Sequence, residues 1–481
     1  MRLIKVLRLH HYPGKFRIGT NVIRFYCNEP KNKLRNILKL HERGMYQELF
    51  PDSSANIITK LMDKSPQCVY AGFDPTADSL HIGNLLILMN LLHWQRGGHS
   101  VIALVGGATG LIGDPSHRTK ERLPITKDIV KNNLNAIRVD IQTIFENHAK
   151  YFWRDSPEKL TPVKIVDNFD WYQDFNVIDF VRNVGKHFRM GTMLNKSSVQ
   201  TRLKSDTGMS FTEFTYQVFQ AYDWLCLLNE YDCRFQIGGS DQLGNISAGH
   251  ELISRVTKKD VFAFTLPLIT AEGGKKFGKS LENAIWLSPR KSSSFQLYQF
   301  LIKTEDADVE NYLKLFTFLS LKQINSIMEE HRQKPELRRA QEMLADNVTL
   351  LVHGEEGLQA AKTSSMLLFD KSIETLAAMS QEQVALAFEG ASVVNIFPEK
   401  GITFFEVAMK AKCFKHDREA ARIIQAGGFY VNYERMTVPD QVVDFKKDML
   451  PNNVTLLRTG KRTFHIVQWI ELNEVKDADK V

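Results

Sequence analysis

The chain has 481 residues, with 62 Lys and Arg against 55 Asp and Glu and a formal net charge of +7. Its hydrophobic share of 43% and charged share of 24% are those of a globular protein, and no apolar run is long enough to form a membrane-spanning helix. Five scattered cysteines without C-x-x-C spacing argue against a structural zinc site and against a disulfide framework.

The first predicted element is a basic leader at residues 1–30. Residues 1–28 hold six basic side chains and no acidic one, interleaved with Leu, Ile and Val. This composition is typical of a mitochondrial transit peptide, and the alternative is a disordered basic tail on a cytosolic protein. Because the leader carries most of the net charge, the charge of the whole chain says little about nucleic acid.

A strand, a tight turn and a helix are predicted next. Cys68–Phe73 has strand character, and Ile82–Arg96 is apolar and of helix length, with Gly97 and Gly98 at its end. His81 stands at the helix start, where unpaired backbone N–H groups suit a phosphate, although a lone His there is more often a capping or surface residue. Such a unit lies at the carboxyl edge of a parallel sheet, where open α/β folds bind ligands.

A glycine-rich turn at residues 106–113 follows the predicted strand 101–105 and ends at Asp114. It lacks the G-x-G-x-x-G arrangement of a dinucleotide-binding enzyme. Residues 118–205 are then predicted to be largely helical and to interrupt the alternation of strands and helices. Their apolar segment 180–194 would promote non-specific association if it were exposed. Paired with a second copy of the chain across a two-fold axis, it would form a stable interface.

A helix with a polar stripe is predicted around residues 214–228. Tyr216, Gln220 and Asp223 are spaced i, i+4 and i+7, which places them on one face of a helix whose other positions are mostly apolar. Polar groups on a mostly buried helix need hydrogen-bond partners. This face therefore either binds a ligand such as an amino acid or forms a structural polar network between helices.

Two further segments carry chemistry suited to a nucleotide. Residues 234–245 predict a short strand, a Gly-Gly turn and a helix, in which Gly239 allows close approach of a sugar and Asp241 accepts from ribose hydroxyls. Lys276 and Lys279 stand three residues apart beside a glycine, an arrangement that can neutralise charge on a triphosphate. The alternative for the two lysines is a solvated basic turn.

The rest of the chain divides into two predicted parts. Residues 290–388 are helical, and 393–400 form a short linker. Residues 401–470 predict two short helices, a turn with a strand, and a closing strand. Between residues 410 and 462 there are eleven Lys or Arg and six Asp or Glu, an excess that suits a phosphate-binding face or an ordinary solvated surface.

Together these segments resemble a known family. His81-Ile-Gly-Asn84 resembles the H-I-G-H signature of class I aminoacyl-tRNA synthetases, and Lys276-Phe-Gly-Lys279-Ser280 resembles their second, lysine-rich signature. The whole pattern is similar to bacterial-type and mitochondrial tyrosyl-tRNA synthetases, strongly over residues 45–290. Asn84 departs from the usual second His: its amide N–H can replace a ring N–H, but it cannot carry a positive charge.

The resemblance implies an α/β fold with a Rossmann-like parallel-sheet catalytic domain at 45–285. It also implies a connective insertion with the dimer interface at 118–205, a helical anticodon-contacting domain at 290–388 and a small alpha-L RNA-binding α+β domain at 401–470. The implied enzyme is a tyrosine–tRNA ligase, which forms tyrosyl-adenylate from tyrosine and ATP and then transfers tyrosine to the 3′ end of tRNA. The expected partners are L-tyrosine, ATP with accompanying Mg²⁺, and mitochondrial tRNA(Tyr), in a homodimer of the mitochondrial matrix with no membrane partner.

The resemblance also implies the site residues. Catalytic roles are expected for His81, Asn84, Thr76, Lys276 and Lys279. Binding of ATP is expected from Asp74, His81, Gly83, Asn84, Gly239, Asp241, Lys276, Lys279 and Ser280. Binding of tyrosine is expected from Tyr70, Asp114, Tyr216, Gln220, Asp223 and Gln242. In that set Asp223 accepts the substrate phenol proton and Tyr70 donates, while Asp114 receives the ammonium group. A basic loop at 118–122 is expected to assist at the triphosphate. Neither a catalytic nucleophile nor a dedicated metal site is expected in the enzyme, because catalysis rests on positioning and charge stabilisation.

Three alternatives stay open at this point. Tryptophanyl-tRNA synthetases share the fold and signatures, but Tyr70 and Asp223 favour a phenol over an indole. A catalytically inactive homologue that acts in RNA binding or splicing is favoured by Asn84 and opposed by His81 and both lysines. A dinucleotide-binding enzyme lacks its glycine motif here.

Overall fold

The computed structural model describes residues 34–116, 125–206, 208–269, 284–369, 373–380, 384, 392–414, 416–460 and 463–470. The predicted leader, the basic loop at 118–122, and Lys276, Lys279 and Ser280 lie outside the described residues. Every helix within these ranges is too short or too polar to cross a membrane.

Six strands form the main sheet: β1 (Glu48–Phe50), β2 (Cys68–Phe73), β3 (Ser100–Val105), β4 (Lys164–Asp167), β5 (Phe235–Gly239) and β6 (Phe262–Leu266). They stand in the order β1-β6-β5-β2-β3-β4. β2 to β6 are parallel to their neighbours, and only the edge strand β1 pairs antiparallel, with β6. Strands β2 and β3 are apolar and almost wholly buried, as a parallel sheet covered by helices on both faces requires.

The helices of this part are α1 (Ala55–Lys64), α2 (Ile82–Arg96), α3 (Thr109–Ile112), α4 (Lys127–Asn147), α5 (Phe169–Tyr172), α6 (Val177–Asn183), α7 (Met190–Leu194), α8 (Ser197–Leu203), α9 (Phe211–Tyr231) and α10 (Leu243–Val256). The predicted strand, turn and helix around His81 are confirmed as β2 and α2. Helix α2 is buried on most of its circumference, which explains why its sequence shows no polar stripe.

The predicted insertion at 118–205 begins later than the sequence suggested. Helix α4 and strand β4 continue the alternation of strands and helices, because β4 pairs in parallel with β3 from Ile102 to Val105. Only the residues after Asp167 leave the sheet, as the short helices α5 to α8. Strand β4 was missed because it has four residues and lies at the edge of the sheet, where burial imposes only a weak apolar pattern.

A helical region follows, formed by α11 (Ser294–Ile302), α12 (Asp306–Phe316), α13 (Leu321–Gln333), α14 (Arg339–Phe369) and the short α15 (Ile373–Ala377). They lie within residues 290–388, for which the sequence predicts helical structure. The region shares one hydrophobic core with the main sheet, in which Leu313 and Leu344 belong to the same cluster of buried side chains as Val69 and Leu85. The helical region therefore packs directly on the part of the chain built around the main sheet.

The C-terminal part is a five-stranded sheet with the helices α16 (Phe404–Lys410), α17 (Asp417–Gln425) and α18 (Phe445–Asp448). Its strands are β7 (Ser392–Ile396), β8 (Phe429–Val431), β9 (Glu434–Met436), β10 (Val454–Thr459) and β11 (Thr463–Trp469), in the order β7-β11-β10-β8-β9. The predicted linker at 393–400 is wrong over its first half: β7 pairs in parallel with β11, and Ile396 is buried in this core.

Candidate active site

A cavity of ≈ 640 Å³ opens at the carboxyl ends of strands β2, β3, β5 and β6. Open parallel sheets bind their ligands at this edge. Its wall includes every predicted site residue that the structure describes: Tyr70, Asp74, Thr76, His81, Gly83, Asn84, Asp114, Tyr216, Gln220, Asp223, Gly239, Asp241 and Gln242. Residues from four separate segments of the chain, at 70–84, 114, 216–223 and 239–242, therefore meet at one place.

Asp223 is the most deeply held acid of the cavity, with 2% of its surface exposed. Its Oδ2 accepts a hydrogen bond from Asn168 Nδ2 at 3.1 Å, and its Oδ1 accepts from Trp171 Nε1 at 3.0 Å and from the Tyr172 hydroxyl at 2.8 Å. Burial raises the pKa of Asp223 to about 7, and these three donors oppose the rise because they stabilise the charged form. The carboxylate is thus held in one orientation at the inner end of the cavity.

Tyr70 lies beside Asp223 and is 1% exposed. Its hydroxyl has no hydrogen-bond partner among the described residues. Burial, followed by the nearby charge of Asp223, raises the pKa of the Tyr70 hydroxyl well above its ordinary value, so the hydroxyl is protonated and available as a donor. A buried hydroxyl without a partner costs about 1–3 kcal/mol, a cost that a bound polar ligand removes.

A second polar group lies nearer the mouth of the cavity. Asp74 accepts from the Tyr216 hydroxyl at 2.8 Å and from the Thr109 hydroxyl at 2.7 Å. Gln242 Nε2 donates to Asp114 Oδ2 at 2.7 Å. Two carboxylates at one side of the cavity favour a cationic ligand group there. Asp74, which the sequence analysis assigned to ATP, is hydrogen-bonded instead to Tyr216 of the predicted tyrosine set.

The start of helix α2 forms the outer half of the cavity. Asn84 Oδ1 accepts from the backbone N–H of His81 at 3.1 Å, so Asn84 caps the helix, a role that the sequence analysis did not assign. A Cβ at Gly83 would lie 2.8 Å from His81 Cε1, so a side chain here would displace the His81 ring. A Cβ at Gly239 would likewise displace the Asp241 carboxylate.

Sequence reasoning missed three functional candidates: Asn168, Trp171 and Tyr172. They follow strand β4 directly and supply all the hydrogen bonds to Asp223 described above. The sequence feature that could have identified them is a run of polar and aromatic residues directly after a strand. It was overlooked because β4 itself was not predicted. Among the described residues, no group of three or more His, Cys, Asp or Glu is arranged to hold a metal ion.

The comparisons with known proteins agree with this geometry. The family described as "tRNA synthetases class I (W and Y)" matches residues 62–370. The chain is 52% identical to the mitochondrial tyrosine–tRNA ligase of Drosophila melanogaster, over 90% of this chain and 94% of that protein. It is 45% identical to the human mitochondrial tyrosine–tRNA ligase, over 89% and 91% respectively.

A solved structure is also similar. The C-terminally truncated mitochondrial tyrosyl-tRNA synthetase of Aspergillus nidulans has a TM-score of 0.63 and 31% identity, over 70% of this chain and 99% of that one. The chain therefore belongs to the class I tRNA synthetases for tryptophan and tyrosine. Within that family it falls with the mitochondrial tyrosine–tRNA ligases, whose reaction forms tyrosyl-adenylate from tyrosine and ATP and then transfers tyrosine to tRNA.

Proposed function

We propose that the cavity carries out the activation of L-tyrosine, with tyrosine in the inner half and ATP in the outer half. The observation that carries this proposal is the buried Tyr70 hydroxyl, without a partner among the described residues, beside the buried and oriented Asp223. A phenol satisfies both groups at once, since it donates to the carboxylate and accepts from Tyr70. An indole offers a donor and no acceptor.

The other end of tyrosine fits the mouth-side carboxylates. The substrate ammonium is bound by Asp114, with Tyr216, Gln220 and Gln242 around it, and Asp74 adds negative charge and orients Tyr216. Phenylalanine is rejected because it would leave the buried Tyr70 hydroxyl without a partner and would offer no donor to Asp223. Tyrosyl-tRNA synthetase is the standard example of this effect, at roughly 10⁵-fold without an editing step.

ATP is bound at the start of α2, where backbone N–H groups and the helix dipole favour phosphate oxygens. His81 donates to the triphosphate, Asn84 and Thr76 assist, and Gly83, Gly239 and Asp241 contact the nucleotide. Lys276, Lys279 and Ser280 stabilise the pyrophosphate leaving group, an assignment that rests on the sequence signature alone. Mg²⁺ arrives with ATP as part of the substrate, coordinated by phosphate oxygens.

The remaining parts are assigned to tRNA and to location. The helical region, predicted at 290–388, contacts the anticodon arm of mitochondrial tRNA(Tyr), and the C-terminal sheet binds tRNA through its excess of Lys and Arg. The relatives are mitochondrial proteins, and so is this chain. We assign it more specifically to the matrix, with residues 1–30 as the transit peptide.

The segment from α6 to α7 supports a homodimer. Val177, Ile178, Val181 and Met190 are exposed by 70%, 70%, 61% and 58%, and a second copy would cover these apolar side chains. Val181→Glu is expected to convert dimers to monomers in sedimentation velocity, whereas Val139→Glu, at another exposed valine on α4, should leave them intact. A wild-type protein that sediments as a monomer at micromolar concentration would refute the assignment.

Pyrophosphate exchange with each amino acid tests the proposed function. Exchange should require tyrosine, and charging should follow with mitochondrial tRNA(Tyr). Exchange that responds to tryptophan and not to tyrosine would overturn the assignment of the cavity, and no exchange at all would favour an inactive RNA-binding homologue.

A further inference from the structure

Residues 285–288, here called the strap, lie across the start of helix α2. Two backbone hydrogen bonds tie the strap to the residues on either side of His81: Ile82 N to Ile285 O at 2.9 Å, and Leu287 N to Leu80 O at 2.7 Å. Trp286 is thereby paired with His81 in an antiparallel bridge, with ring centroids 6.4 Å apart. The backbone of His81 is therefore fixed by the strap as much as by its own helix.

One end of the strap is anchored by a buried chain of polar groups. The backbone N–H of Ser288 donates to Ser79 Oγ at 3.0 Å, and the Ser79 hydroxyl lies 2.8 Å from Asp140 Oδ2. Ser79, Asp140 and Ser288 are 4%, 7% and 2% exposed. Burial raises the pKa of Asp140, which shows that this carboxyl lies in a poorly solvated place. A buried carboxyl is costly unless it is hydrogen-bonded, and the Ser79 hydroxyl supplies one such bond.

The strap is also anchored from the helical region. His353 on α14 lies 2.9 Å from Leu287 O through Nε2 and 2.9 Å from Ser294 Oγ through Nδ1. Burial lowers the pKa of His353 to about 4, so the ring is neutral. Because a carbonyl can only accept, Nε2 carries the proton, and Nδ1 accepts from the Ser294 hydroxyl.

Helix α4 supports both anchors. It carries Asp140 in its third turn from the end, and its last residue, Asn147, donates to Leu351 O of α14 at 3.1 Å. That carbonyl lies just before the kink of α14, where Gly354 adopts φ 72° immediately after His353. The two anchors thus share one rigid support.

We propose that Asp140 and His353 are positioning residues for adenylate formation, acting on ATP through the strap and His81. The inference rests on the proposed role of His81 at the triphosphate. Neither residue is in the wall of the cavity, so neither touches substrate. Their effect comes from placement, because a displacement of about 1 Å in a catalytic group can cost roughly a hundredfold in rate.

Steady-state exchange kinetics with ATP as the varied substrate, beside equilibrium dialysis of tyrosine, tests the proposal. Asp140→Ala and His353→Asn are expected to lower kcat/KM for ATP by about tenfold or more while the Kd for tyrosine stays within about twofold. Asp140→Asn keeps the acceptor for Ser79, and His353→Gln keeps the donor for Leu287, so both should stay close to wild type. His331→Asn is the control, because His331 is a buried histidine of the same helical region that bonds Asp306 and not the strap.

A double-mutant cycle separates this role from general loosening of the fold. In a His81→Ala background, Asp140→Ala should add less than about twofold, because its target is already absent. Fully additive effects, or equal losses for tyrosine and ATP, would overturn the proposal. If Asp140→Ala does not bind tyrosine stoichiometrically, His353→Asn in the same cycle supplies the test.

The proposed function and this inference fail in different ways. Loss of exchange in the wild type sinks the proposed function. If the wild type is active and His81→Ala impairs it, but Asp140→Ala and His353→Asn leave the ATP kinetics unchanged, only the inference about the two positioning residues is refuted.

Discussion

The inner and outer halves of the cavity are built in opposite ways. The part assigned to tyrosine is made of side chains that hydrogen-bond to one another: at the inner end the buried Asp223 accepts three hydrogen bonds, and nearer the mouth Asp74 accepts two. The outer half is open, with His81 and Thr76 exposed, and it presents backbone and glycine more than side-chain networks. On the proposed assignment, the side chains that select tyrosine are already oriented by the protein, and the positive charge for ATP comes from the helix start and from Lys276 and Lys279.

This difference predicts how substitutions divide. Changes in the inner half should alter which amino acid is accepted and how its binding depends on pH. Changes in the outer half and in the lysine-rich signature should alter the rate of activation and leave tyrosine binding unchanged. We expect the largest change in rate from Lys279→Ala, smaller changes from Tyr70→Phe and from the pH dependence of tyrosine binding, and the smallest change from Asn168→Ala.

The largest effect is expected from Lys279→Ala. Removing one cation from the leaving pyrophosphate should slow exchange by about a hundredfold to a thousandfold, the size typical of losing a preorganised charge-stabilising group. The Kd for tyrosine, measured by equilibrium dialysis, should be unchanged, since the inner half is intact. Lys131→Ala, at an exposed lysine of α4, is the control, and unchanged exchange in Lys279→Ala would refute the assigned role.

Tyr70→Phe should break the selectivity of the inner half. The variant loses the donor to the substrate phenol, so kcat/KM for tyrosine should fall by about tenfold, with relatively less discrimination against phenylalanine. The free energy of unfolding of the free protein should stay equal or rise by about 1 kcal/mol, because a buried hydroxyl without a partner disappears.

Denaturation in urea and exchange kinetics with both amino acids measure the two effects. Tyr231→Phe, at the end of the same helix as Asp223, is the control. A Tyr70→Phe protein that is both less stable and equally selective would contradict the proposed role of the hydroxyl.

Tyrosine binding should depend on pH through Asp223. We propose that the substrate phenol donates a hydrogen bond to the ionised carboxylate of Asp223. With a pKa of about 7, this carboxyl is mostly ionised at pH 8 and mostly protonated at pH 6. Affinity for tyrosine should therefore weaken by about tenfold from pH 8 to pH 6. Because the folded pKa is raised above the unfolded value, the same group makes the free protein less stable as pH rises from about 4 to 7.

Titration of tyrosine binding from pH 6 to 8 checks this prediction. Asp223→Asn should bind weakly and show a flat profile over this range. An unchanged pH dependence in that variant would assign the titration to another group.

The smallest effect is expected from Asn168→Ala. Losing one of three donors should raise the pKa of Asp223 further and weaken tyrosine binding at pH 7 by about threefold, with recovery at higher pH. Gln173→Ala, at an exposed residue after α5, should leave the profile in place. A loss in Asn168→Ala that is the same at every pH would indicate displaced packing instead.

Local elements around the site were predictable because they depend on neighbours in the chain. The strand before His81, the helix after it and the face with Tyr216, Gln220 and Asp223 follow from apolar periodicity and end signals. Strands β4 and β7 were not predictable, because short edge strands are defined by their pairing with β3 and β11 rather than by their own pattern.

What the sequence by itself determined is the order of the signatures, the family they point to and thirteen of the residues that line the cavity. The tertiary structure alone decided which of these side chains meet. Asn168 reaches Asp223 across 55 residues of sequence, and Tyr216 reaches Asp74 across 142. Contacts at such separation depend on the sheet order and on helix packing, which no local pattern encodes. For the same reason, the strap and its contacts with Asp140 and His353 could not be predicted from the sequence.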